Sequence, residues 1–191
     1  MLKLFRKLLS TRTTVIEPYV FLANEDILEL GKRLQRKVQN MFHGSLAIRA
    51  VDAGSTNACE HELTALSNCY YDIERFGIHF VPSPRQADML MVTGPVSRNM
   101  RDALVKTYEA TPSPKIVVAV GDDAINGGIF KGSYAVLDGV DKVIPVDFSI
   151  PGDPPSPTVI LSYLLTILSR IDDDRTLSQD VSTKEAKRAR V

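Results

Sequence analysis

The stretch that decides the fold is Asp52-Ala53-Gly54-Ser55-Thr56-Asn57-Ala58-Cys59-Glu60-His61-Glu62. The apolar run 46–51 precedes it and a helical pattern follows it, so the stretch is predicted to be a turn between a strand and a helix. Gly54 and Ser55 open the turn, and Asn57 is a candidate N-cap for the helix. In open α/β sheets, ligands bind at such turns, at the carboxyl ends of the strands.

Apolar strand patterns alternate with helical patterns along the rest of the chain. Strands are predicted at 46–51, 77–81, 88–93, 115–120 and 144–146. Helices are predicted at 24–42, from Asn57 onward, at 98–110 and at 158–171. The runs 88–93 and 115–120 are apolar almost throughout, which is typical of strands buried on both faces. In the helix after Asn57, the residues Leu63, Leu66 and Cys69 are predicted to face the core. The alternation predicts right-handed crossovers and a mostly parallel sheet.

The two ends of the chain differ from this central part. Residues 1–12 combine apolar residues at helical spacing with charges that are all positive. Such a segment either lies in a membrane interface or docks on a partner subunit. Residues 13–24 read as irregular. After Ile171 the sequence is polar without apolar periodicity, which indicates a solvated tail or a segment that contacts a partner. We therefore divide the chain into an N-terminal helical arm (1–43), an α/β domain (44–171) and a polar tail (172–191).

Composition excludes several classes of protein. A chain of 191 residues that is 44% hydrophobic suits one globular domain. The 23 basic and 23 acidic residues balance, and no basic patch alternates with aromatic residues, so we expect no nucleic-acid partner. Cys59 and Cys69 are too few for a disulfide framework and fit a reducing compartment. No run has the length of a transmembrane helix, and no signal peptide is recognisable.

Several further segments follow the first turn in a characteristic order. They are 71–77 (YDIERFG), 82–88 (PSPRQAD), 92–96 (VTGPV), 127–130 (GGIF), 139–141 (GVD), 145–147 (PVD) and 151–155 (PGDPP). Together with the first turn, they resemble the small subunit of energy-converting [NiFe]-hydrogenases of the formate hydrogenlyase type and the 20 kDa (B) subunit of NADH-quinone oxidoreductase. The resemblance covers about residues 46–168. It implies a flavodoxin-like α/β fold, a three-layer sandwich with a mostly parallel sheet.

The chain departs from this family at the site of its cofactor. Family members hold one [4Fe-4S] cluster with four cysteines, whose positions here are Thr56, Cys59, Asp123 and Asp153. A hydroxyl and two carboxylates thus replace three thiolates, whereas iron–sulfur clusters select soft sulfur ligands. We therefore predict no cofactor at this site and do not expect a [4Fe-4S] cluster.

The sequence leaves two alternatives for what occupies this site in place of a cluster. Because all these positions follow predicted strands, we expect them to meet at one edge of the sheet. Carboxylates suit Mg²⁺, Ca²⁺ or Mn²⁺, so Asp122, Asp123 and Asp153 are candidate ligands of a hard cation. The favoured alternative is that these carboxylates are hydrated or paired with arginines such as Arg75 or Arg98, since an unpaired buried carboxylate is costly.

Cys59 allows two interpretations. Its position near a helix N-terminus would lower its pKa and make it a reactive thiol. The favoured interpretation is a small buried side chain without reactivity. His61 and Glu62 follow it, but adjacent helical residues point apart, so they do not place a base over a nucleophile.

The resemblance also implies a function and partners. Family members pass electrons through their cluster and couple that transfer to proton or sodium movement. This chain is predicted to be a structural and coupling subunit at the cytoplasmic face of the membrane. It would bridge a large-subunit homologue to membrane-arm subunits and touch the membrane surface through residues 1–12. The predicted interface residues are Glu62, Tyr71, Asp72, Glu74, Arg75 and Arg85, with salt bridges that fix loops as the other interpretation. The alternatives are an electron-transfer subunit with an unusual iron–sulfur centre, and an independent thiol or metal enzyme.

Overall fold

Five strands form one parallel sheet in the computed structural model, which describes the backbone of residues 19–188 and the side chains of residues 26–173. The strands are β1 (Leu46–Asp52), β2 (Ile78–Phe80), β3 (Met89–Thr93), β4 (Ile116–Val120) and β5 (Phe148–Ile150). The helices are α1 (Tyr19–Phe42), α2 (Ala58–Ala65), α3 (Arg101–Ala110), α4 (Asp122–Asn126) and α5 (Pro157–Arg188). The strand order β2-β1-β3-β4-β5 is that of flavodoxin-like folds, which confirms the predicted class.

The core has two halves, one on each face of the sheet. Every residue of β3 is buried, as the continuous apolar run predicts. Met89 and Met91 pack on one face with residues of α1, α2 and α5, and Leu90 and Val92 pack on the other face with Leu104 of α3 and residues around α4. Helices therefore cover both faces, and the chain forms a three-layer sandwich.

The helix α1 belongs to the first of these core halves. Leu34 and Val38 are fully buried there. Lys37 Nζ lies 2.7 Å from Asp172 Oδ2 and so joins α1 to α5. The helix already includes Tyr19, the first residue whose backbone is described, five residues before the predicted start. The predicted amphipathic segment 1–12 lies outside the described residues.

Two predictions near the C-terminus are wrong. The fifth strand is Phe148–Ile150 and not 144–146. Pro145 lacks a donor for a strand pairing, and the amides of Val143 and Ile144 both donate to Val140 O at 3.0 Å, which closes the 3₁₀ turn Val140–Lys142. The last helix was predicted to end at Ile171 but continues to Arg188, because no glycine or proline interrupts residues 158–188.

The remaining differences are smaller. Cys69 was predicted to face the core, yet it is exposed, because α2 ends at Ala65 and Cys69 lies in the following turn. Leu63 and Leu66 are buried as predicted. The third helix begins at Arg101, three residues after its predicted start. Within the described part of the chain, no helix has the length and apolar character needed to cross a membrane.

Candidate functional site at the carboxyl edge of the sheet

The turns that follow β1, β3, β4 and β5 meet at the carboxyl edge of the sheet. A Cβ atom built on Gly94, after β3, would lie 2.6 Å from the amide nitrogen of Ser55, after β1. A Cβ atom on Gly121, after β4, would lie 2.5 Å from Cys59 Sγ and 3.4 Å from the carbonyl oxygen of Gly152, after β5. The structure thus brings together the four segments that carry the predicted site residues.

The first turn is held by its own side chains. Asp52 Oδ1 accepts hydrogen bonds from the amides of Gly54 (2.8 Å) and Ser55 (2.9 Å), and Ser55 Oγ accepts one from the amide of Asn57 (3.0 Å). Asn57 does occupy the N-cap position of α2, but its side chain makes no capping hydrogen bond. It lies instead 3.1 Å from Nε2 of His61, and its backbone is left-handed (φ 71°), a conformation that asparagine tolerates.

Cys59 is buried in an acidic environment. Its side chain is 6% exposed. The pKa of the thiol is raised to about 11, chiefly by burial and then by the charges of Glu60, Asp123, Asp153 and Asp122 in that order of importance. Desolvation and negative charge both disfavour the thiolate, and they outweigh any effect of the helix N-terminus. The interpretation of Cys59 as a thiol with a lowered pKa is therefore wrong.

Asp123 is the most confined carboxylate of the site. It is 6% exposed, and its Oδ1 atom has no hydrogen-bond partner. Burial raises the pKa of this carboxyl, the charges of Asp153 and Asp122 add to the effect, and a hydrogen bond from the backbone of Ile129 opposes it. The edge therefore stabilises the protonated form of Asp123 relative to an ordinary aspartate.

The other predicted positions lie further out. The amide of Asp122 donates to Gly152 O (2.9 Å), and Asp122 Oδ1 accepts from the amide of Gly152 (3.0 Å). Asp122 thereby ties the turn after β4 to the turn after β5. Asp153 and Thr56 are exposed.

The arginines named for charge pairing lie elsewhere. Arg75 Nε is 3.9 Å from Asp72 Oδ2, and Arg98 Nε donates to Tyr134 O at 2.6 Å. Neither forms an ion pair with the carboxylates of the site, so that pairing is wrong for both. Among the described residues, no group of three His, Cys, Asp or Glu side chains is arranged to hold a metal ion. The cation hypothesis for Asp122, Asp123 and Asp153 thus rests on the sequence alone.

A cavity that no sequence pattern predicted lies beside this edge. Its volume is about 490 Å³, and it lies between β1, α2 and the segment that follows β2. The lining residues are Arg49, Ala50, Asp52, Glu60, Leu63, Thr64, Ser67, Phe80, Val81, Pro82 and Thr93. The only signal in the sequence was a charged residue, Arg49, inside the apolar run 46–51.

Two polar atoms in this cavity are buried without partners. They are Arg49 Nε, a donor, and Glu60 Oε2, an acceptor. The other oxygen of Glu60 accepts a hydrogen bond from the hydroxyl of Thr93. Buried polar atoms are normally satisfied, so the cavity suits water or a small polar group that offers both an acceptor and a donor.

The predicted interface residues do not form one surface with the carboxylate site. Glu62 is on α2, close to the first turn. Tyr71, Asp72, Glu74 and Arg75 lie in the turn before β2, and Arg85 lies in the turn before β3. These five residues are therefore at the amino edge of the sheet. The Arg75 guanidinium also lies 4.6 Å from the ring centroid of Phe76, so part of its role is local.

The fold and the position of the edge site define the structural class of the protein. A parallel sheet in this strand order, with its polar turns at the carboxyl edge, is a flavodoxin-like α/β domain. The family described as NADH ubiquinone oxidoreductase, 20 Kd subunit, matches residues 57–167, and the chain belongs to this family.

Individual relatives agree with this assignment. Formate hydrogenlyase subunit 7 of Escherichia coli is 40% identical over 144 residues, which are 75% of this chain but only 55% of that protein. A probable membrane-bound hydrogenase subunit of Pyrococcus furiosus is 40% identical over 143 residues, 73% of this chain and 86% of that protein. Among solved structures, a chain of the membrane-bound sulfane sulfur reductase, an archaeal respiratory membrane complex, is similar with a TM-score of 0.60 and 38% identity, over 68% of this chain and 71% of that one. The resemblance read from the motifs is confirmed.

Proposed function

We propose that this chain is a structural and coupling subunit of a membrane-associated, ion-translocating complex of the hydrogenase or complex I type. In this role it bridges a large-subunit homologue to the membrane arm at the cytoplasmic face. Family membership supports this proposal, as do relatives named as subunits of formate hydrogenlyase and of a membrane-bound hydrogenase. The similar chain from a respiratory membrane complex supports it as well.

The second part of the proposal is that the chain does not pass electrons through a [4Fe-4S] cluster at the edge site. Of the four positions, only Cys59 offers sulfur, while Thr56, Asp123 and Asp153 offer oxygen. The donor set does not fit the cluster, because such a cluster is normally held by four thiolates. The observation that carries the proposal is this donor set of one sulfur and three oxygens.

A difference measurement on the intact complex tests this part. Iron and acid-labile sulfide are determined in the wild-type complex and in a complex with Cys59→Ser, and the paramagnetic spectra of both are recorded after reduction. Other subunits contribute equally to both preparations, so their clusters cancel. We expect the same iron, sulfide and spectra in the two complexes.

The opposite outcome has a definite meaning. Loss of one cluster's iron and sulfide in the Cys59→Ser complex, together with loss of one paramagnetic signal, contradicts the proposal. The chain would then be an electron-transfer subunit with an unusual iron–sulfur centre. A Cys69→Ser complex is the matched control, because Cys69 is exposed and outside the edge site.

A further inference from the structure

The cavity beside β1 is a consequence of the shortness of its neighbour β2. The pairing of β1 with β2 covers only residues 46–48 of β1, whereas the pairing with β3 on the other side continues to Asp52. Pro82, two residues after the end of β2, has no N–H group with which to extend the ladder. The second half of β1 therefore faces a gap, which the cavity of about 490 Å³ fills. This volume is within the range of about 300–1,000 Å³ that is usual for ligand pockets.

Glu60 presents an acceptor to this cavity. It lies on α2 and lines the cavity, and one of its oxygens accepts a hydrogen bond from the hydroxyl of Thr93 on β3. The other oxygen, Oε2, is buried and has no hydrogen-bond partner. The carboxylate is thus held at one end, and its second oxygen is left for a donor.

Arg49 presents a donor to the same cavity. Its Nε atom is buried without a partner. Arg49 and Glu60 form no ion pair with each other, although both line the cavity. A ligand that accepts from Arg49 and donates to Glu60 would satisfy both groups, and each of them costs free energy while it is buried and unpaired.

The charges around the cavity select the kind of ligand. The charged residues that line it are Arg49, Asp52 and Glu60, and neither a lysine nor a histidine lines it. More negative charge surrounds the adjacent Cys59, from Asp122, Asp123 and Asp153. A ligand with negative charge alone would be repelled by these carboxylates, and one with positive charge alone would leave Arg49 unpaired. A ligand that carries one charge of each sign matches both.

Apolar side chains form the remaining wall of the cavity. They are Ala50, Leu63, Phe80, Val81 and Pro82. Burial of an aliphatic group against them is favourable, and it gives the ligand a polar end and an apolar end.

We propose that this cavity binds a zwitterionic α-amino acid with an aliphatic side chain. The carboxylate of the ligand accepts a hydrogen bond from Arg49 Nε, its ammonium group donates to Glu60 Oε2, and its side chain packs on Leu63 and Phe80. The inference goes beyond the proposed function, because it assigns to the chain a small-ligand site that assembly of a complex does not require.

Nuclear magnetic resonance of the purified, isotope-labelled full chain tests the site. L-leucine is added at millimolar concentrations, and the shifts of the backbone amides are followed. We expect saturable shifts at cavity residues such as Ala50, Glu60 and Thr64. Isocaproate lacks the ammonium group of leucine, and isoamylamine lacks its carboxylate. Each is expected to bind about tenfold more weakly, because it loses one charge-assisted hydrogen bond.

Two variants locate the binding. Arg49→Met and Glu60→Gln are each expected to weaken the binding of L-leucine about tenfold. Arg49→Met should also bind L-leucine and isoamylamine equally, and Glu60→Gln should bind L-leucine and isocaproate equally, since each variant lacks the partner of the group that distinguishes the two ligands.

Matched controls accompany these variants. Arg101→Met and Glu62→Gln remove the same functional groups from residues that do not line the cavity, and they should leave the affinity unchanged. Circular dichroism and thermal unfolding establish that each variant is folded. Glu60→Gln preserves the size of the side chain, so it tests the site even where Arg49→Met does not fold.

Three results would overturn the inference. If L-leucine causes no saturable shift, the cavity holds solvent only. If isocaproate or isoamylamine binds the wild-type chain as tightly as L-leucine, the zwitterion is not what the cavity recognises. If the folded Glu60→Gln variant keeps the affinity of the wild type, the binding site lies elsewhere. The proposed function stands in all three cases, because it is tested on the intact complex and not through this cavity.

Discussion

Aspartates at the two edges of the sheet have opposite environments. At the amino edge, Asp88 Oδ2 accepts a hydrogen bond from the amide of Ala47 (2.9 Å), and Asp147 Oδ2 accepts one from the amide of Val117 (2.8 Å). At the carboxyl edge, Asp123 is buried with one oxygen unpartnered and its pKa raised. Asp88 and Asp147 are thus structural clamps, whereas Asp123 keeps an unsatisfied oxygen.

The direction of the strands explains this difference. The amino ends of parallel strands present unpaired N–H groups, which are donors for a carboxylate, whereas the carboxyl ends present carbonyl oxygens. A carboxylate at the carboxyl edge therefore depends on amide donors from the turns, which Asp52 and Asp122 have and Asp123 Oδ1 lacks. The comparison teaches that Asp123 is held in an unfavourable environment, which is typical of a site with a function.

The largest expected effect concerns the two cysteines. At pH 8 we expect iodoacetamide to modify exposed Cys69 readily and Cys59 at least about a hundredfold more slowly. A rise of the Cys59 pKa from 9.0 to about 11 lowers its thiolate fraction by about that factor, and burial lowers access further. Peptide mass spectrometry over time measures both rates, and the rates should converge in denaturant. Similar rates in the folded chain would show that the carboxyl edge is not strongly acidic.

A matched pair of substitutions tests the aspartates themselves. Asp88→Asn is expected to lower the free energy of unfolding by about 1 kcal/mol, because it replaces a charge-assisted hydrogen bond to Ala47 with a neutral one. Asp123→Asn is expected to leave the free energy unchanged or to raise it by up to about 1 kcal/mol, since it removes a buried charge near two others. Urea unfolding measures both. A loss of stability at both positions would remove the distinction between the two edges.

The smallest expected effect is a dependence of the stability of the folded chain on pH through Asp123. The folded-state pKa of Asp123 is raised above its ordinary value of 3.8, so the folded chain holds this proton more tightly than the unfolded chain. The stabilisation of the folded chain that comes from this raised pKa of Asp123 is complete below pH 3.8. It is lost as pH rises through the folded-state pKa. The stability of the wild type relative to Asp123→Asn should therefore fall as pH rises from about 4, and then become constant. Difference curves from unfolding at several pH values measure this, and a difference that increases with pH would contradict it.

The fold class could be predicted from the sequence because the central strands have a distinctive apolar pattern. The runs 88–93 and 115–120 are apolar throughout most of their length, and they became β3 and β4 with both faces covered. β5 was misplaced because Phe148–Ile150 is short, with an exposed serine at its centre, whereas 144–146 looks more apolar. A short edge strand is defined by its pairing with β4, which no local pattern records.

The site was only partly accessible to sequence reasoning. Strand ends predicted which segments meet, and the structure brings Cys59, Asp123 and Gly152 together. The protonation of Cys59 depends on how carboxylates 64 and 94 residues away in the sequence are oriented, and spacing along the chain does not contain that orientation. The cavity at Arg49 and Glu60 depends on side-chain packing in the same way.

The embedding of α1 in the core has a mechanical consequence. At about 1.5 Å per residue, α1 and α5 are rods of about 36 Å and 48 Å. Both are fastened to the same sheet, and Lys37 and Asp172 link them to each other. A tilt imposed on either rod would therefore act on the sheet and its carboxyl edge together.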